Sequence, residues 1–266
     1  MEKKRFSRFL SGGYLALVLV FVYLPIIYMV IFSFNDSKSM LNFTGFSLRW
    51  YESISKDRFM LESISNTFIV AIISTAVSTV LGTVTAIGLS KSRRLVREVV
   101  LEINNLPIMN PDIVTAIGLM LLFTSIKITT GMPTLILAHV SFCTPFVILS
   151  IMPKLRQLDD NVAEAAMDLG ATPFQALVKI ILPQIYPAIL SGALIAFSMS
   201  LDDFVVSYFT KGEGLNTIST YVYTMKRYNY TVNALSTIIV AVVAVVLILV
   251  NLIPRLTEKK ANKEEE

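Results

Sequence analysis

The chain is poor in the residues from which most enzymes and secreted domains are built. Among 266 residues there is one cysteine, Cys143, and one histidine, His139. A single cysteine excludes a disulfide framework, and the two together exclude an ordinary zinc site made from those residue types. No G-x-x-x-x-G-K-[S/T] stretch occurs, so nothing here cradles a triphosphate with a P-loop. The nearest glycine pair, Gly82 and Gly88, lies in an apolar run and reads as a helix-packing face. No nucleophile has an arguable base beside it. His139 is expected to be hydrogen-bonded inside the fold, and Cys143 to be a small buried residue. Charge is scarce too, at 16% of residues against about 25% in soluble domains. These absences exclude an enzyme acting by itself and leave no metal or cofactor site to propose on this chain.

What is abundant is apolar sequence: 54% of residues are hydrophobic and the mean hydropathy is +0.66. A membrane-spanning helix needs about 20 predominantly apolar residues. Six segments qualify, at about 13–34, 67–89, 99–126, 134–152, 186–209 and 234–253. They predict an all-α integral membrane protein with one transmembrane domain over 1–266. The first segment follows Lys3, Lys4, Arg5 and Arg8, as a signal peptide would. Its apolar core is longer than the usual 7–15 residues and no small-x-small cleavage site follows, so a retained helix is expected. Of the 23 Lys and Arg residues, 15 fall on the side that bears both termini and 8 on the other. The positive-inside rule therefore places both termini in the cytoplasm. The net charge of +4 is spread beside apolar spans. Lipid headgroups account for it better than nucleic acid does.

The loop 153–185 is more regular than the others. In "NVAEAAMDLGATPFQALVKIILPQI", Asn161 and Glu164 have capping-box spacing. Gly170 stands where a left-handed residue would end the first helix. Thr172, Pro173 and Gln175 then read as cap, first and third positions of a second helix. Pro183 and Pro187 mark its handover to the fifth span. On this evidence alone the loop is an amphipathic helical hairpin.

Carboxylates interrupt the apolar spans. "FSMSLDDFVVSYF" sets Asp202 and Asp203 side by side in an otherwise uncharged run from Pro187 to Phe209. Each costs roughly 2.5–3.5 kcal/mol at the centre of a membrane helix on insertion scales. At 100° per residue Ser191, Ser198 and Asp202 share one stripe, while Ser200, Asp203 and Ser207 share another nearly opposite. The two aspartates cannot point the same way unless the helix unwinds. The third segment is broken by Pro107 and Pro111, with Asn110 or Asp112 available to cap a restarted helix. Asp112 is expected near mid-depth, where broken helices are tolerated only inside protein or along a cavity. Three acidic groups at depth favour a cationic cargo. Trp50, Tyr51, Tyr221, Tyr223, Tyr228 and Tyr230 offer aromatic faces for cation–π contacts or an interfacial belt.

Two sets of motifs carry a resemblance. "EAAMDLGATPFQALVKIILP" resembles the EAA loop of ABC-importer permeases, with Glu164, Ala165, Ala166, Gly170, Ile180, Leu182 and Pro183 at the motif's spacing. "YLPIIYMVIFSFN", "GFSLRWY", "PDIVTAIGLMLLF", "SFCTPFVILS" and "SLDDFVVSYF" resemble spermidine/putrescine permeases of the PotC type over nearly the whole chain. The resemblance implies the MetI-like permease fold with six transmembrane helices in a bacterial cell membrane. It also implies a cytoplasmic coupling helix between helices 4 and 5, which docks on an ATPase. Glu164 would contact that partner or complete the helix cap. Implied partners are a PotB-type second permease chain, two PotA-type ATPase subunits that bind the ATP, and a PotD-type polyamine-binding protein. Asp112, Ser200, Asp202, Asp203 and Trp50 would lie on the substrate path. Rival readings are an ABC importer for another small cation or amino-acid-like solute, a proton-driven secondary transporter, and a non-transporting scaffold or sensor.

Overall fold

The computed structural model describes residues 2–38, 41–159, 161–225, 229–245 and 248. Among them no β-strand forms; one isolated bridge joins Asn35 and Phe46. The helices are α1 (Glu2–Ser33), α2 (Arg49–Lys56), α3 (Arg58–Ser90), α4 (Arg94–Met109), α5 (Asp112–Ser125), α6 (Met132–Arg156), α7 (Asn161–Asp168), α8 (Pro173–Ala176), α9 (Leu182–Asp202), α10 (Val205–Thr210) and α11 (Ile218–Thr224), then α12 (Thr231–Val245). Contacts group these residues into two compact units, one comprising residues up to Leu61 and from Met225 on, the other Glu62–Thr224.

In the first unit α1 carries the apolar run Gly13–Ser33, of which only 6% is buried. A soluble protein would not leave such a surface to water; hydrocarbon is its natural solvent. The chain then turns through a tight loop organised by Asn35. Its side chain accepts from Thr44 N at 2.9 Å and donates to Asn42 O at 2.9 Å, and its carbonyl accepts from Trp50 Nε1 at 2.7 Å. Where the sixth span was expected, the described residues form α12, a shorter apolar helix, and most of 246–253 lies outside them.

The second unit is built around α6. Its neighbour α3 presents a row of small residues at four-residue spacing, Ser74, Ser78, Gly82 and Ala86. Ser74 Oγ donates to Ile136 O at 3.3 Å and Ser78 Oγ to Val140 O at 3.4 Å. A Cβ placed on Gly82 would lie 2.6 Å from Val147 Cγ1. From the α9 side, a Cβ on Gly192 would lie 3.2 Å from Val147 Cα and from Ser150 Cβ. Small residues let backbones approach closely, which is how membrane helices associate without a hydrophobic driving force. Cys143 Sγ to Ala196 O (3.4 Å) and Ser150 Oγ to Ala188 O (3.1 Å) hold α6 to α9. Around these contacts Ala86, Leu89, Val147, Ile148, Ile151, Met152 and Ile185 close a buried core. Gly82 is thus the packing glycine; nothing lies within 4 Å of a Cβ on Gly88, which corrects its inclusion in that face.

Three segments differ from expectation. α3 begins nine residues before the predicted 67. The third span is two helices, α4 and α5, that meet at 103°. The helix continues through Pro107 and breaks at Asn110–Pro111. Neither Asn110 nor Asp112 caps α5 with its side chain, since Pro111 occupies the cap position and Asp112 the first turn. The fifth span is not one helix over 186–209. It ends at Asp202, passes through an extended Asp203, and resumes as α10.

Overpacking a filled contact costs typically 1–3 kcal/mol. Gly82→Val is therefore expected to lower the thermal unfolding midpoint in detergent by several degrees, whereas Gly88→Ala leaves it unchanged; equal effects would contradict the packing assignment.

Candidate functional site

The break between α9 and α10 has no proline or glycine to cause it. It is held by Asp203, whose carboxylate accepts from Val206 N at 3.2 Å and Ser207 N at 2.7 Å. These are first-turn N–H groups of α10, with no intrahelical partner. In a water-free setting each would cost several kcal/mol if left bare. Behind Asp203 lies His139 of α6, fully buried. Its Nδ1 is 2.7 Å from Ser200 Oγ, and its Nε2 is 3.0 Å from Ser207 Oγ and 3.6 Å from Asp203 Oδ2. Assigned from this network, the Nε2–H tautomer satisfies every member: Ser200 donates to Nδ1, and Nε2–H points at Ser207 and the carboxylate. The stripe Ser200, Asp203, Ser207 therefore exists, and its partner is the lone histidine.

On the open side of the break is a cavity of about 440 Å³. Asp112, Asp202 and Asp203 all line it, with Thr115, Phe142 and Met199, and no Lys or Arg among the described residues does. The unwinding resolves the geometric conflict of adjacent aspartates: both reach one cavity because the chain between them is not helical. Their situations differ. Asp203 is mostly buried and committed to the α10 amides. Asp112 and Asp202 are exposed to the cavity. α5, with 14 residues, rises about 21 Å, short of a hydrocarbon core of about 30 Å. Asp112, in its first turn, thus begins a helix too short to cross.

Ser200 and Trp50 stand apart from this lining. Ser200 is buried and taken up by His139, so it positions the network and does not face the cavity. Trp50 belongs to the other unit and is itself buried. Its indole N–H is spent on Asn35, and its ring meets Tyr230 (5.4 Å between centroids) and the Arg49 guanidinium (4.3 Å). Its observed contacts are those of a structural residue of the first loop. Tyr228 lies outside the described residues.

The loop 161–183 folds as two helices on a glycine hinge. Gly170 has φ +90°, and Ala171 N donates to Ala166 O at 3.0 Å and Gly170 N to Met167 O at 2.9 Å, the bonds of a Schellman-type stop. Thr172 and Gln175 exchange reciprocal bonds, Gln175 N to Thr172 Oγ1 at 3.2 Å and Thr172 N to Gln175 Oε1 at 2.9 Å. Ala166 packs inward, while Glu164, Ala165 and Leu169 are exposed, Leu169 at 91%. The run Pro173–Asp202 continues as one 30-residue rod through a π-turn at Leu177–Ile181 that includes Ile180, where Leu182 N bonds Leu177 O. Pro183, just inside α9, cannot donate to the preceding turn, and the wider turn accommodates it.

Residues 78–263 match the family described as binding-protein-dependent transport system inner membrane component. The chain belongs to that family. Among similar proteins, the spermidine/putrescine transport system permease protein PotC of Escherichia coli (strain K12) is 35% identical over 251 residues, 94% of this permease and 95% of its own chain. The putrescine transport system permease protein PotI of the same strain is 38% identical over 241 residues, 87% and 86%. A Haemophilus influenzae PotC is 36% identical over 249 residues, 93% and 97%. Among solved structures, a bacterial ABC transporter involved in import of the acidic polysaccharide alginate covers 97% of the permease and 98% of that chain with a TM-score of 0.75, at 17% identity. An amino acid ABC transporter covers 79% and 98% with a TM-score of 0.54, at 16% identity. These likenesses establish the fold alone, that of a MetI-like ABC permease, a multi-pass membrane protein.

Losing a helix cap costs roughly 0.5–2 kcal/mol. Asp203→Ala should therefore lower the unfolding midpoint of the permease in detergent, and Asp202→Ala should leave it level or raise it. The reverse order would show that the α10 cap is not where stability resides.

Proposed function

We propose that this permease forms part of the path of an ATP-driven importer of spermidine and putrescine, in a bacterial cell membrane with both termini cytoplasmic. The observation that carries the proposal is the convergence of Asp112, Asp202 and Asp203 on one cavity that no Lys or Arg among the described residues lines. A polyamine spaces its ammonium groups along flexible methylene chains. Asp112 and Asp202 supply charge-assisted acceptors, Phe142 and Phe204 supply ring faces worth about 0.5–2 kcal/mol each to a nearby cation, and Met199 suits the methylenes. Asp203, fixed by its amides, adds negative potential without having to move. The names of the PotC and PotI relatives support the same cargo.

Two ATPase subunits, a second permease chain and an extracytoplasmic polyamine-binding protein complete the machine. The exposed faces of α7 and α8, with Glu164, Ala165, Leu169 and Phe174, dock on the ATPase. Closure of the ATPase pushes α7, Gly170 acts as the fixed elbow, and the Pro173–Asp202 rod carries the displacement to the acidic cavity. Access then alternates between the two sides of the membrane.

Uptake of radiolabelled spermidine by cells lacking other polyamine importers, with the partner subunits co-expressed, tests this. Wild type should accumulate label in competition with putrescine. Asp112→Asn and Asp202→Asn should each cut uptake about tenfold or more, as expected for losing a hydrogen bond to a charged group worth roughly 1.5–3 kcal/mol. Gly170→Val, forced into a backbone region closed to β-branched residues, should abolish uptake while the assembly still forms. A wild type that moves no polyamine would remove the cargo assignment.

A further inference from the structure

A second cavity, of about 200 Å³, lies where the ends of α3 and α6 meet α4, the start of α7 and the π-turn. Gln184 on its wall and Asp202 at the acidic cavity are both on α9, about 27 Å apart along the helix, so the two sites are separate. Here the charge is reversed. Among the described residues Lys91, Arg97 and Arg156 line it with one carboxylate, Asp159, and with Ser90 and Gln184 as further polar groups. Arg97 Nε is buried and meets no hydrogen-bond acceptor among the described residues. A buried, unmatched guanidinium N–H keeps its full desolvation penalty, and buried polar groups rarely go unpaired. The site therefore calls for an acceptor, and its charge calls for an anionic one.

We propose that this cavity binds the phosphate of an anionic phospholipid headgroup, with Arg97 and Arg156 as its principal ligands. The phosphate oxygens match the planar fork of an arginine. Three observations favour a lipid over a soluble phosphate. First, Arg97 sits on α4, whose Leu95, Val96 and Val99 are exposed beside the Arg94–Glu98 ion pair at 2.7 Å. Such a helix, turned 103° from α5, has the composition of one lying in the membrane interface. Second, the remaining wall is apolar, with Ile87, Leu155, Leu158 and Ile181, which suits a glycerol and the first acyl methylenes. Third, the site lies at the ends of the spans α3 and α6, at headgroup depth, where basic pockets between transmembrane helices take anionic headgroups. Val162 of α7 and the π-turn contribute to the same cavity, so the headgroup ties the two-helix loop to the span ends. Placing the site in the inner leaflet rests on the orientation proposed above; binding itself does not.

The test uses the full-length chain with its partner subunits in nanodiscs of phosphatidylcholine alone, phosphatidylcholine with phosphatidylglycerol, or phosphatidylcholine with excess inorganic phosphate in the buffer. Bound lipid is counted by native mass spectrometry after release, and the unfolding midpoint is recorded. Phosphatidylglycerol should co-purify with wild type and raise its midpoint. Arg97→Gln with Arg156→Gln should weaken retention about fivefold per charge removed, the factor set by about 1 kcal/mol per basic residue near an anionic surface. The control Arg93→Gln with Lys154→Gln, of equal net charge but outside the cavity, should retain it. Wild type that shows no preference for phosphatidylglycerol overturns the proposal before any variant is made. So does retention by the cavity variant equal to that of the control. An equal midpoint shift from inorganic phosphate would show a soluble-anion site and overturn the lipid assignment.

Discussion

Two backbone amides at the start of α10 need an acceptor at membrane depth, and Asp203 supplies it. Much of the molecule's arrangement follows from that pairing. A helix that stops inside hydrocarbon exposes N–H groups that neither lipid nor neighbouring backbone will satisfy. A carboxylate one residue before the restart satisfies two of them and stabilises the positive end of the new helix dipole. His139, joined to Ser200 on one side of the break and Ser207 on the other, fixes the two ends relative to α6. With the break held open, Asp202 at the end of α9 lines the same cavity as Asp112. One aspartate of the adjacent pair is thus spent on the cap, and its neighbour is left exposed to the cavity.

In the proposed mechanism the same unit would carry a displacement, since its helices fit closely and its loop is stiff. Gly82 and Gly192 bring α3 and α9 against Val147, so α6 cannot slide without breaking a packed contact. The 30-residue run Pro173–Asp202 joins the hinge at Gly170 to the acidic cavity without a flexible link. Its one irregularity is the π-turn before Pro183. A basic cavity at the base of this rod and an acidic one at its far end give it two chemically opposite anchor points.

Local chemistry was legible in the sequence and tertiary chemistry was less so. The cap at Thr172–Gln175 and the stop at Gly170 could be read because each is made by residues a few positions apart with strong conformational preferences. The spans were legible because an apolar run is its own signal. The break at Asp203 was only foreshadowed, as a conflict between two adjacent aspartates: its cap is local, but His139, which joins the two ends of the break, is 64 positions from Asp203 on α6. Trp50 read either as a ring face for a cation on the substrate path or as part of an interfacial belt, yet its indole is engaged by a carbonyl that only the folded loop presents. The 103° turn between α4 and α5 was announced by "NNLPIMNPD", but its angle depends on packing that no local pattern encodes. Lys91, Arg97 and Arg156 come from three segments and resembled scattered inner-face charge until the fold gathered two span ends and α4 around one cavity.

The central claim is that Asp202 faces a water-accessible cavity that holds a polyamine. Cys143 is the chain's only cysteine, so a Cys143→Ala background carrying Asp202→Cys gives one reporter thiol. Thr115→Cys in the same background gives a second, at a lining position that leaves all three carboxylates in place. Labelling by a membrane-impermeant thiol reagent, in membranes with the partner subunits present, measures the claim directly. The account predicts that both thiols react and that spermidine protects Thr115→Cys, whereas a cysteine at Ala196, packed in the core, stays unreactive. Unreactive thiols at both lining positions, or labelling of Thr115→Cys indifferent to spermidine, would contradict it.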